Sequence, residues 1–242
     1  MTALRTAMIL AAGEGRRLAP LTNTTPKPML DIHGKPLIVH QLGWLKQAGI
    51  KRVVINLFHL GGQIQKALGS GERFGLEILY SNEPELLETG GGIAFAQPLL
   101  GAAPFLLLNG DIWTNFDFAS LPSSLPPHLQ GHLVVVPTPA NRTHGDFQLA
   151  HQRLQRPASD LDRRWVYCGI AVLRASIVGQ RAGAFSLRDP LFDAAGKGEL
   201  AGTPLSLPTH PDQNPNHYPD ANQPYWSDIG TPDALTQVRD LS

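Results

Sequence analysis

Three groups of residues in this chain have types and spacing suited to chemistry on phosphate. The first is Leu10-Ala11-Ala12-Gly13-Glu14-Gly15-Arg16-Arg17-Leu18, followed by Pro20, Thr22 and Pro26-Lys27-Pro28. Glycines let a backbone approach a ligand with no Cβ in the way, and successive loop amides can point at a phosphate. Arginine contacts phosphate through two parallel N–H donors, whereas a lysine held between two prolines presents a point charge on a fixed backbone. The pattern lacks the third glycine of a dinucleotide fingerprint and the lysine of a P-loop. The second group is a pair of carboxylates, Asp111 in Asn109-Gly110-Asp111 and Asp228 in Trp226-Ser227-Asp228. Each follows a strand-like run. They suit a hard divalent cation completed by phosphate oxygens, or turns in which an aspartate bonds its own backbone. The third is Glu88-Thr89-Gly90-Gly91-Gly92, readable as a helix start capped by Thr89 or as a flexible connector.

The elements that must position these groups alternate in period. Residues 6–12 read as a buried strand, 36–48 as a helix between Pro36 and Gly49, and 52–57 as a second strand. A short helix over 61–68, a strand over 76–81, a helix over 93–97 and a strand over 105–109 follow. This alternation predicts a Rossmann-like α/β fold, a mainly parallel mixed central sheet flanked by helices in a single domain. Beyond residue 130 the segments 132–137, 147–150 and 165–173 are strand-like with little helix between them. They predict an antiparallel extension of the same sheet. Thr231 and Pro232 open a C-terminal helix. Residues 121–128 and 208–224 are loop by composition, the latter with five prolines and three asparagines.

Composition narrows the function. The 242 residues carry 20 Lys+Arg and 20 Asp+Glu, so no basic field exists for nucleic acid or an anionic membrane. A hydrophobic content of 42% excludes disorder, and 24 glycines with 21 prolines point to many shaped loops. The single cysteine, Cys168, fits a reducing compartment and reads as a small core residue. The first apolar run is too short for a signal segment or a membrane span, so a cytoplasmic location is expected. His210, Asp212, His217 and Asp220 match no metal-ligand spacing, and Ser123 and Ser124 lack a nucleophile elbow.

The opening loop with its Pro-Lys-Pro resembles the signature of the sugar-1-phosphate nucleotidyltransferases. The Glu88–Gly92 stretch, Asn109-Gly110-Asp111-Ile112-Trp113, Gly145-Asp146-Phe147 and Trp226-Ser227-Asp228-Ile229-Gly230-Thr231 resemble a compact branch of that family. The resemblance spans residues 6 to about 240. It implies transfer of a nucleotidyl group from a nucleoside triphosphate, UTP in this branch, to a sugar 1-phosphate, N-acetylmuramate 1-phosphate, in cell-wall recycling. It implies nucleotide contacts at Ala12, Gly13, Gly15, Arg16, Arg17, Lys27, Gly90 and Asn109, with Arg17 and Lys27 catalytic. It also implies Mg²⁺ on Asp111 and Asp228. Asp146 and Gly169 are carried over as sugar contacts; a turn residue and a strand glycine at a bulge are the other reading. On this basis residues 1–130 form a nucleotide-binding half and 131–242 a sugar-binding half. The chain departs from the family in a longer approach to Asp228 over 208–224, and in a connector over 151–164 without a Glu-Lys-Pro. Another sugar and base, or a nucleotide-sugar-binding regulator without turnover, remain open. So does the choice between a monomer and a weak homo-oligomer.

Overall fold

The computed structural model describes residues 4–139, 142–157, 159, 164–207 and 223–241. The first half is built on four parallel strands, β1 (Thr6–Leu10), β4 (Arg52–Leu57), β5 (Glu77–Asn82) and β6 (Phe105–Asn109). Two short strands, β2 (Asp31–Ile32) and β3 (Lys35–Pro36), pair separately. Helices α1 (Leu37–Gln47), α2 (Gly61–Leu68) and α3 (Glu88–Leu100) make the crossovers. After β6 come β7 (Ile112–Thr114), β8 (Gly131–Pro137), β9 (Gln148–Ala150), β10 (Arg153–Gln155) and β11 (Trp165–Leu173). Helix α4 (Arg188–Gly196), strands β12 (Leu200–Pro204) and β13 (Trp226–Asp228), and helix α5 (Pro232–Asp240) complete the described elements.

Nine strands form one sheet in the order β5-β4-β1-β6-β11-β8-β12-β10-β9. Pairing is parallel from β5 through β6, and β12 also runs parallel to β8. The other four pairings are antiparallel. The sheet is therefore mixed, with its parallel block in the first half and the expected extension in the second. Neither β10, β12 nor α4 stands out in the sequence, being short or weakly patterned.

Strand alternation divides the core between the two faces. Ala7, Ile9, Val53, Ile55, Leu106 and Leu108 pack with Ile38, Leu42 and Leu45 of α1 on one side. Met8, Val54, Phe105 and Leu107 pack with Ile93 and Ala96 of α3 on the other. A third cluster joins Leu18, Leu30, Ile32 and Leu37 to Ile229, Leu235 and Val238. It fastens the signature loop to the last helix, whose first turn is capped by Thr231 Oγ1 accepting from the Ala234 amide at 3.3 Å. Among the described residues, no helix is long and apolar enough to cross a membrane. Residues 208–222, with His210, Asp212, His217 and Asp220, lie outside the described residues.

Candidate active site

The loop after β1 is tied down from several directions. Gly15 adopts φ 65°, and a Cβ there would lie 2.9 Å from Thr22 Cγ2. Thr22 in turn donates through Oγ1 to the Gly15 carbonyl at 3.0 Å. His59 Nε2 donates to the Thr22 carbonyl oxygen at 2.9 Å. Glycine is required at 15 for both its backbone angle and its closeness to the threonine. Where a dinucleotide fold would open a helix, Arg16–Leu18 make a single 3-10 turn. The exposed Arg16 pairs with Glu14, and this bond holds the Glu14 carboxyl below its usual range.

Beneath the loop runs a buried polar chain that crosses three elements. The Ala11 amide donates to Asn56 Oδ1 at 2.8 Å, and Asn56 Nδ2 donates to Glu83 Oε1 at 2.7 Å. Glu83 Oε2 accepts from the Leu87 amide at 3.1 Å, at the entrance to α3. Burial pushes the Glu83 carboxyl above its usual range, while its two donors pull it back down. Gly92 makes this possible, since a Cβ there would lie 2.7 Å from Glu83 Oε1.

Lys27 opens another 3-10 turn, and its Nζ lies 2.6 Å from Asp111 Oδ2. The turn carrying Asp111 is gripped by Gln41 of α1, fully buried, whose Nε2 donates to the carbonyls of Asn109 at 3.0 Å and Ile112 at 3.1 Å. Asp228 ends β13, which pairs antiparallel with β7 so that Asp228 faces Ile112 in register. The Ile229 amide then donates to the Asp111 carbonyl at 2.9 Å. One residue on, a Cβ at Gly230 would lie 2.7 Å from Arg17 Nη2, so the guanidinium rests against this glycine.

A cleft of about 490 Å³ at the carboxyl ends of β1 and β6 brings together Ala12, Gly13, Gly15, Arg16, Arg17 and Lys27 with Asn109 and Asp111. Asp146 lines a neighbouring cavity of about 580 Å³. Three expected residues are not among the lining. Asp228 is exposed beside the cleft. Gly169, at φ 83° in a register shift of β11, would bring a Cβ within 2.9 Å of Asn109 Nδ2. It makes room for Asn109, as a bulge glycine does. Gly90 packs against another part of the chain. Its amide donates to the Phe185 carbonyl at 2.9 Å, and a Cβ there would meet the Phe185 ring at 2.4 Å. The small residues of α3 thus admit a protein side chain. Thr89 is not the helix cap either. Leu87 stands at that position, and Thr89 Oγ1 accepts from the Leu187 amide at 2.8 Å.

Sequence reasoning missed Gln41, Asn56, Glu83 and Gly230. The available signal was a polar side chain on an otherwise apolar stripe at 41, and polar ends to the apolar strands at 56 and 82–83. Cys168 is the core residue expected, with burial pushing its thiol up to about 12.

The donor chemistry can be tested against a divalent ion. Among the described residues, no group of three or more His, Cys, Asp or Glu side chains could hold a metal. The Ile229 amide ties the residue after Asp228 to the Asp111 main chain, and both aspartates offer hard oxygens. Such a pair suits an ion that draws its remaining ligands from phosphate and water, as Mg²⁺ does.

A glycine loop, a lysine and an acidic turn converging where parallel strands finish define an α/β protein that handles phosphorylated nucleotides. Residues 6–146, more than half of the chain, match the Nucleotidyl transferase family, and the protein belongs to it. Along nearly its whole length the chain is similar to N-acetylmuramate alpha-1-phosphate uridylyltransferase of Neisseria meningitidis serogroup B. The two are 41% identical over 241 residues, covering 98% of this chain and 97% of the other. Mannose-1-phosphate guanylyltransferase catalytic subunit beta of Drosophila pseudoobscura pseudoobscura is 39% identical over 118 residues, 48% of this chain and 32% of its own. The structure of HddC from Yersinia pseudotuberculosis complexed with GMP-PN superposes with a TM-score of 0.71 at 21% identity, covering 98% of each chain. That likeness speaks for the fold alone.

Proposed function

We propose that this protein is a uridylyltransferase that joins UTP to N-acetylmuramate 1-phosphate, releasing pyrophosphate. The observation that carries the reading is 41% identity to such an enzyme over 98% of the chain. The arrangement of Arg17, Lys27 and Asp111 around one cleft supports it. A phosphate oxygen of the sugar forms a new bond to the α-phosphorus of UTP, while the bond from that phosphorus to the β-phosphate bridging oxygen breaks. The attacking oxygen is already ionised at neutral pH, so little general base is needed. The obstacle is bringing two polyanions together, and charge neutralisation with positioning removes it.

In this reading Arg17 holds the departing pyrophosphate, and Lys27 lies between the α-phosphate and the incoming phosphate. The amides around Gly13 and Gly15 carry the nucleotide. Asp111 and Asp228 would hold Mg²⁺, which when bound would screen the triphosphate charge. Residues 1–130 take the nucleotide and residues 131–242 the sugar, in a cytoplasmic enzyme of cell-wall recycling. The partial likeness to a guanylyltransferase favours, as a second reading, a hexose 1-phosphate with another base. A panel of nucleoside triphosphates and sugar 1-phosphates, read by pyrophosphate release with and without Mg²⁺, decides between them. UTP with N-acetylmuramate 1-phosphate is expected to give the highest kcat/KM; a higher value for any neutral hexose would overturn the proposal.

A further inference from the structure

The second cavity opens off the first through Thr89, Asn109 and Ser186, which border both. Its walls carry an excess of positive charge. Arg142 and Arg188 line it against a single carboxylate, Asp146. Arg142 Nη1 stands 3.8 Å from Asp146 Oδ2, beyond hydrogen-bonding distance. Arg188 makes no ion pair among the described residues. Its guanidinium carbon lies 4.8 Å from the centroid of the Phe192 ring, a stacking that leaves the in-plane donors available. Arg188 also begins α4, whose positive end adds to the field; Ser186 Oγ accepts from the Arg188 amide at 3.2 Å, and Asp189 stands in the same first turn.

A second observation points to a polar occupant. Among the described residues, the Tyr167 hydroxyl and Asn109 Oδ1 are buried with no hydrogen-bond partner, and both residues line this cavity. Burial raises the Tyr167 phenol well above its usual range, so it remains a donor at neutral pH. A donor and an acceptor are thus left unsatisfied unless a ligand meets them.

The inference rests on the uridylyltransferase reading. The phosphate of the sugar substrate belongs at Lys27, in the first cleft, so it does not account for the charge of the second. N-acetylmuramate differs from N-acetylglucosamine by a lactyl ether that ends in a carboxylate. We propose that Arg188, with Arg142 beside it, binds this carboxylate, and that the two arginines determine specificity for an acidic sugar. Tyr167 and Asn109 meet the polar groups of the ring.

The test compares N-acetylmuramate 1-phosphate with N-acetylglucosamine 1-phosphate, each with UTP and Mg²⁺, on the full chain. Arg188→Met combined with Arg142→Met is expected to lower kcat/KM for the acidic sugar by about tenfold or more, chiefly through KM. The rate on the neutral sugar should stay within about twofold, which also reports that the variant is folded. Arg188→Lys, keeping the charge, should retain part of the preference. If the preference survives in the double variant, or both sugars lose rate together, the arginines do not read the carboxylate. If the unaltered enzyme shows no preference for the acidic sugar, the assignment of N-acetylmuramate 1-phosphate as substrate fails as well.

Discussion

Lys27 and Asp111 neutralise one another in the resting cleft, with side chains only 13% and 27% exposed. Removing one partner leaves the other's charge partly shielded from water, and the two substrates then meet it unbalanced. Asp111→Asn and Lys27→Met should each lower kcat by about 10²-fold or more with the fold intact by circular dichroism. Wild-type turnover in either variant would remove that residue from the chemistry. Gly230→Ala makes a subtler case, because the three atoms nearest the added methyl all belong to the Arg17 guanidinium. Activity should fall while the melting temperature moves by less than about 2 °C. Arg17 and Lys27 were legible because glycines and prolines beside a cation form an unusual local pattern. Gly230 was not, since its neighbour is more than two hundred residues away in sequence.

At the scale of elements, the chain from Ala11 through Asn56 and Glu83 to Leu87 locks the signature loop to the start of α3. Asn56→Ala strands a buried amide and a buried carboxylate, a loss of about 1–3 kcal/mol in denaturant titrations, with a raised KM for the nucleotide. Glu83 adds a pH dependence of defined sign. Its carboxyl holds its proton to higher pH when folded than its ordinary 4.5. The folded state therefore binds more protons than the unfolded one above that value, and stability falls as pH rises through the folded pKa. Melting temperatures from pH 4 to 7 should show this decline in the wild type and lose this component in Glu83→Gln. A polar residue ending an apolar run looks the same in sequence whether it faces a turn or a buried partner, so this chain of bonds was illegible. The packing of the triple glycine of α3 was illegible for a related reason. The pattern signals close approach without saying by what, and Phe185 is far along the chain.

For the molecule as a whole, strand alternation made the first half readable, because a sheet covered on both faces needs the same apolar period throughout. The second half combines short antiparallel strands with one parallel return, β12, and no local pattern announces that order. Joined cavities in one body also predict linkage between ligand and stability. UTP with Mg²⁺ at about a hundred times its Kd should add about 2.7 kcal/mol, seen as a rise in melting temperature. If Asp111 and Asp228 hold the ion, EDTA should abolish most of that rise. An unchanged shift would argue against the metal assignment.

The docking of Ile229 and Gly230 against Leu18 and Arg17 has a bearing on biosynthesis. A growing polypeptide could assemble its parallel strands early, yet the arginine would lack its final backing until β13 had left the ribosome. A chain cut before Ile229 would leave Leu18 without that apolar cover and Arg17 without the glycine it rests against.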